Sequence, residues 1–142
     1  MSGKVKVDLV DPNILTDEVR LPVLRAATKI VAKRARATAP RGHGPAVGKN
    51  GQARKRLYQT IRASVTQKGK RAAVATKAPH GWIVHHGTQP HIIGPKKGHA
   101  LVIAGHIIGR KVRHPGAKGQ PYLSDAAEQS RSDVAAAIRD IV

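Results

Sequence analysis

Between Glu18 and Asp125 the chain runs for 106 residues without a carboxylate, and that stretch carries 22 lysines and arginines. All the acids lie towards the two ends, at Asp8, Asp11, Asp17, Glu18, Asp125, Glu128, Asp133 and Asp140. A fold built from this chain must keep most of its positive charge on the surface, since a buried cation without a partner costs several kcal/mol. The net charge of +18 points to a polyanion or an acidic protein as partner, because self-repulsion in the compact state is relieved from outside. A solvated basic surface is the plainer alternative.

The same stretch limits the core. Hydrophobic residues make up 40% of the 142, but 21 residues are alanine and the only aromatic residues are Tyr58, Trp82 and Tyr122. The length fits one domain, 1–142. Its core is thin, and thin cores are often completed by contacts between subunits. No apolar run approaches the roughly 18 residues needed to span a bilayer. Residues 1–8 lack the apolar segment of a secretory signal, so cytoplasmic synthesis and no membrane partner are expected. The absence of cysteine excludes a disulfide framework and a thiolate zinc site.

Alternation of Val5, Val7 and Leu9 with charged residues predicts a strand over 4–10, broken by Asp11-Pro12-Asn13. A helix follows, with Thr16 as N-cap and Asp17 and Glu18 at the positive end of its dipole. Pro22 fits it only within the first turn. Val19, Val23, Ala26, Ala27 and Ile30 form its apolar stripe, Arg25, Lys29, Lys33 and Arg36 the opposite face, and Pro40 ends it near Thr38. Residues 40–56 hold four glycines, two prolines and five basic residues, the composition of a loop that is functional or flexible. Ile61, Ala63 and Val65 predict a strand that turns at 67–70 into a partner around Ala72, Val74 and Thr76.

The segment 79–88 is apolar with a glycine stop and reads equally as helix or strand. A second hairpin is expected from 100–104 and 107–112, with Gly105-His106 as its two-residue turn. Pro121 stands as the first residue of a C-terminal helix whose stripe is Leu123, Ala127, Val134, Ile138 and Ile141. The fold class predicted is α+β: an antiparallel sheet of hairpins with a long N-terminal helix and a C-terminal helix packed on one face.

Catalysis has little to work with. No cysteine and no acid from residue 19 to 124 leave no set of nucleophile, base and orienting group. A two-metal nuclease needs clustered carboxylates. His80, His85, His86, His91, His99, His106 and His114 could suggest a metal, but no carboxylate lies near them in sequence. His85 and His86 would point opposite ways in an extended segment. No catalytic residue, metal or cofactor is therefore assigned. Trp82 reads as a core or interface anchor, with base stacking as the alternative. The loop residues Arg41, Lys49, Arg54, Lys55 and Arg56 are candidate contacts to DNA phosphates or to an acidic partner, with a solvated flexible loop as the alternative. Gly87 with Thr88 reads as an ordinary stop at a glycine.

Three segments carry a resemblance. They are the helix end Ala37-Thr38-Ala39-Pro40 leading through basic residues to Leu57 and Ile61, the stretch Gly81-Trp82-Ile83-Val84-His85-His86-Gly87-Thr88, and His114-Pro115-Gly116 with Gly119-Gln120-Pro121-Tyr122-Leu123 and Ala126. In this order they resemble the small neck or tail-completion proteins of long-tailed bacteriophages, the head–tail junction family also described as minor tail components. The resemblance covers residues 16–130. Two departures stand out: Gly51-Gln52-Ala53-Arg54 in place of Thr-Gly before the central Leu57, and Trp82 with His85-His86 where the family carries Tyr and Glu.

The resemblance implies an α+β structural protein of the virion that assembles as a homo-oligomeric ring of six. Its partners would be neighbouring neck and tail proteins, the connector or stopper and the terminator, and the DNA backbone without sequence preference. It would be made and assembled in the host cytoplasm. On this reading Trp82, Gly87, Thr88, His114, Pro115, Gly116 and Pro121 form turns and subunit contacts, and Gly87-Thr88 fixes the loop up to His91. A tail terminator and a sequence-independent DNA-binding protein remain alternative readings.

Overall fold

The structure, a computed structural model, describes residues 15–42, 50–66, 69, 71–95, 98, 100–103 and 105–142. The strand expected over 4–10 and its break lie outside the described residues.

Helix α1, Asp17–Thr38, is the spine of the fold. Thr16 precedes it with extended backbone but makes no side-chain cap; Asp17 instead pairs with Arg20 at 2.5 Å. Pro22 sits inside the helix beyond its first turn, further in than the sequence allows for. The proline leaves the Glu18 carbonyl without its helical donor, and both residues are exposed, so that carbonyl meets solvent. The helix closes where expected, with the Ala39 N–H donating to the Ala35 carbonyl at 2.9 Å before Pro40.

The buried row of α1 is Val23, Leu24, Ala27, Thr28, Val31, Ala32 and Ala35. Val19, Ala26 and Ile30, expected in the stripe, are only half-buried. The row is turned because α1 packs against the first hairpin and against both C-terminal helices. Small residues let these neighbours approach closely. Thr28 enters the core by donating its hydroxyl to the Leu24 carbonyl at 2.8 Å, which satisfies a group that would otherwise be costly to bury.

After the loop, Leu57–Thr60 forms one 3-10 turn that leads into the first strand. Strands β1, Ile61–Val65, and β2, Ala72–Thr76, pair antiparallel, Ile61 opposite Thr76 and Val65 opposite Ala72. This is the expected hairpin. Leu57, Ile61 and Ala78 join Ala35, Ala39, Tyr122, Leu123 and Ala126 in one core cluster. A second cluster unites Ala27, Val31, Ala127 and Val134.

The segment of undecided conformation is a helix, α2, Gly81–His86. From its end the chain enters a series of nested antiparallel pairs. Strand β3, Gly87–Thr88, pairs with β8, Ala117–Lys118; β4, His91–Ile93, pairs with β7, Val112–His114; β5, Leu101–Ile103, pairs with β6, His106–Gly109. Residues 87–118 thus form one long, interrupted hairpin arm. The expected second hairpin is only its distal part. Its register places Ile103 opposite His106, so His106 belongs to a strand, not to the turn. The strand expected to run from 107 to 112 breaks after Gly109, and Val112 pairs back towards the root.

The C-terminal helix is two helices, α3, Tyr122–Gln129, and α4, Arg131–Ile141. Pro121 stands one residue before the first helical position. The break is at Ser130, whose N–H is shared between the Ala126 and Ala127 carbonyls at 3.1 and 3.2 Å. Both helices pack on α1. The fold is α+β as expected; among the described residues the strand pairing is antiparallel and divided into four two-stranded ladders.

Candidate interaction surface

The arm is rooted by close backbone approach. Gly87 has φ +79, and a Cβ there would collide with the Ala117 carbonyl oxygen and lie 2.5 Å from the Gly119 nitrogen. Gly116 has φ +86, and a Cβ there would collide with the Thr88 carbonyl oxygen. Each glycine thus meets two demands at once, a left-handed backbone and contact with the facing strand. The Gly116 N–H donates to Nδ1 of His114 at 3.0 Å. His114 in turn stacks on His91 across the β4–β7 pair, at 5.0 Å between ring centroids.

The root is joined to the core through α2. The Gln120 N–H donates to the Val84 carbonyl at 2.8 Å, and Tyr122 directs its hydroxyl at the Gly81 carbonyl at 3.4 Å. His85 is buried, with its ring edge-on to Tyr122 and Nε2 3.3 Å from the Ser124 hydroxyl. Burial, and then the neighbouring His86, hold His85 below the ordinary imidazole range, while Asp125 pulls the other way. Burial pushes the Tyr122 hydroxyl up, against a smaller opposite effect of Thr76. The second and third segments of the resemblance therefore meet at one junction. Thr88 is half-buried there, while Pro115 and Pro121 are exposed.

Helical α2 separates its histidines: His85 turns inward and His86 remains exposed, 4.6 Å from the Trp82 ring. Trp82 is 46% exposed, which removes the core alternative. Ile83 is exposed beside it. An open depression at this place is lined by Trp82, Ile83, His86, Thr88, His91 and Lys118, among others.

Beyond the root, no described residue from 87 to 118 is buried. Ile92 is 67% exposed, and Val102 and Ile107, directly opposite one another across β5–β6, are 57% and 76% exposed. Ile108 is exposed as well. Sequence reasoning singled out none of these four. The available signal was β-branched residues on strands of a hairpin whose two faces are both short of a covering element.

The loop cations separate. Arg54 and Lys55 are exposed. Arg41 is exposed and stands over the Tyr58 ring at 4.9 Å. Arg56 turns back, donating to the carbonyls of Arg41 at 2.7 Å and Gly42 at 3.3 Å, so it closes the mouth of the loop instead of presenting its charge outward. Lys49 lies outside the described residues. A more regular set of cations lies on α1, where Arg25, Lys29, Lys33 and Arg36 are all exposed.

Among the described residues no three histidine or carboxylate side chains converge as metal ligands, and no helix is long and apolar enough to cross a membrane. No protein-family model, curated protein or solved structure matches this chain.

Proposed function

We propose that this chain is a ring-forming neck or tail-completion component of a tailed phage, and that the 87–118 arm is its principal means of joining one subunit to the next. The observation that carries the reading is the arm itself. It buries none of its described residues and holds Ile92, Val102, Ile107 and Ile108 in the open. Burying such side chains yields about 1.5–3 kcal/mol each, and the monomer forgoes that gain. An arm of one subunit laid on a different face of the next makes a head-to-tail contact, and head-to-tail contacts form rings when the rotation from subunit to subunit closes. The ordered resemblance of the three segments supplies the biological setting, the junction of the DNA-filled head with the tail. A tail terminator would use the same ring closure. No catalytic step is part of this reading.

Loss of the gene is expected to leave filled heads and finished tails unjoined. Wild-type protein supplied in trans should restore joining, whereas Val102→Lys with Ile107→Lys should fold but neither join particles nor form rings by electron microscopy. Normal infectious particles from the deletion strain would overturn the neck assignment. Rings formed by the double variant would overturn the role of the arm.

A further inference from the structure

We propose that the row Arg25, Lys29, Lys33 and Arg36 on α1 is a binding site for the phosphate backbone of duplex DNA, engaged without regard to base sequence. The proposal is independent of the neck reading. It starts from spacing: steps of four, four and three residues return to the same side of an α-helix. At 1.5 Å per residue the row is about 16 Å long. Duplex of that length presents about ten phosphate charges at one per 1.7 Å, so four cations in line face a continuous run of negative charge.

The ion pairs leave this row unneutralised. The ion pairs recorded among the described residues are Arg20–Asp17, Arg34–Asp133 and Arg131–Glu128. The carboxylate of Asp133 thus goes to Arg34, on the side of α1 towards α4, and Asp17 to Arg20 near the helix start. Among the described residues no carboxylate pairs with Arg25, Lys29, Lys33 or Arg36. Arg36 is held by the Ile61 carbonyl, 3.0 Å from Nη2, which fixes the last cation of the row against β1 while it stays exposed. At one end the exposed side runs on to the uncharged Ala37; at the other it runs through Pro22 to Glu18, the nearest carboxylate on this side, about two turns before Arg25.

Several features favour duplex DNA over other anions. The buried row on the other side of α1 packs against the first hairpin and both C-terminal helices, so the backbone that carries the cations is anchored, which suits a rod-like polyanion. A single-stranded ligand would need aromatic platforms, and the row has none. Base-edge readout needs side chains entering a groove, whereas these cations lie along one flat row, which suits phosphates. The cations of the arm differ: Arg110 and Lys111 lie in the link between β6 and β7 and Arg113 on β7, next in the chain to the exposed Ile107 and Ile108 of β6, a mixture suited to protein contact.

The test is a salt titration of full-length protein on a random-sequence 30-base-pair duplex, followed by fluorescence anisotropy. Arg25→Gln, Lys29→Gln and Lys33→Gln together should lower the slope of log K against log salt by about 3, at roughly 0.9 per phosphate contact. Near 0.1 M salt that is a loss of two to three orders of magnitude in affinity, by the same relation. Glutamine keeps helix propensity close to that of the residues replaced, and a melting curve checks the fold. A matched variant, Arg71→Gln, Lys77→Gln and Arg139→Gln, removes the same charge elsewhere and should keep the wild-type slope. Equal losses in both variants would show a general effect of net charge and overturn the site. Failure of the wild-type protein to bind duplex at low salt, with binding to polyglutamate, would overturn the ligand in favour of an acidic protein.

Discussion

His85 shows how one side chain couples the fold to pH. Its ring is buried against Tyr122 and Ser124, and its Nδ1 has no hydrogen-bond partner among the described residues. Burial favours the neutral form, so the folded value lies below the unfolded value of about 6.5. In the window beneath 6.5 the unfolded chain binds more protons than the folded one, and stability falls there as pH falls; above 6.5 the contribution is fully present. Urea unfolding at a series of pH values should therefore show wild type losing stability below about pH 6.5, with a shallower loss in His85→Gln. Parallel pH profiles for the two proteins would refute this account. Arg56 is another residue whose role changed in three dimensions. In sequence it is one cation of a basic run, but its donors go to two backbone carbonyls, so it organises the loop's ends.

At the level of elements, the arm depends on two glycines more than on its side chains. Its paired strands are at most four residues long, too short to persist by themselves. What aligns the chain is the root, where Gly87 and Gly116 let opposite backbones meet. Gly116→Ala forces a left-handed conformation, about 1–2 kcal/mol, and overlap with the Thr88 carbonyl, a further 1–3 kcal/mol or so by analogy with overpacking. The expected outcome is local. Protease cleavage within 89–115 should accelerate at least tenfold, while amide protection in α1 and α3 persists. Unchanged cleavage would mean that the root does not hold the arm. The split at Ser130 is a second case of an element shaped by packing, since the break lets α3 and α4 each lie against α1.

For the molecule as a whole, charge and core size pull in the same direction. Among the described residues the largest fully buried side chains are Ile61, Leu123, Val23 and Ser130, a modest core. A net charge of +18 adds repulsion that the compact state feels more than the unfolded one. Against it stand exposed ion pairs worth about 0–1 kcal/mol each. Screening should therefore help more than it harms. Raising sodium chloride from about 0.01 to 0.15 M shortens the Debye length from about 30 to 8 Å and should raise Tm by several degrees in thermal unfolding followed by circular dichroism. A falling Tm would show that favourable ion pairing outweighs the repulsion.

The amino-acid sequence by itself determined what local chemistry decides. Pro40 and the 3.6-residue period placed the end of α1 at Thr38, the alternation of Ile61, Ala63 and Val65 placed the first hairpin, and the distribution of acids foretold an unneutralised basic surface. The exposed row on α1 was legible too, because four-residue spacing is a property of one helix. Tertiary structure alone decided the rest. Residues 87–88 and 117–118 pair across nearly thirty positions, and no local period encodes such a partner; only close backbone contact at the glycines selects it. Whether 81–86 became helix or strand depended on Gly81 and His85 packing against Thr76 and Tyr122, contacts between segments far apart in the chain. Trp82 is apolar enough for a core, yet it remains at the surface because α2 has one buried side, and His85 occupies it.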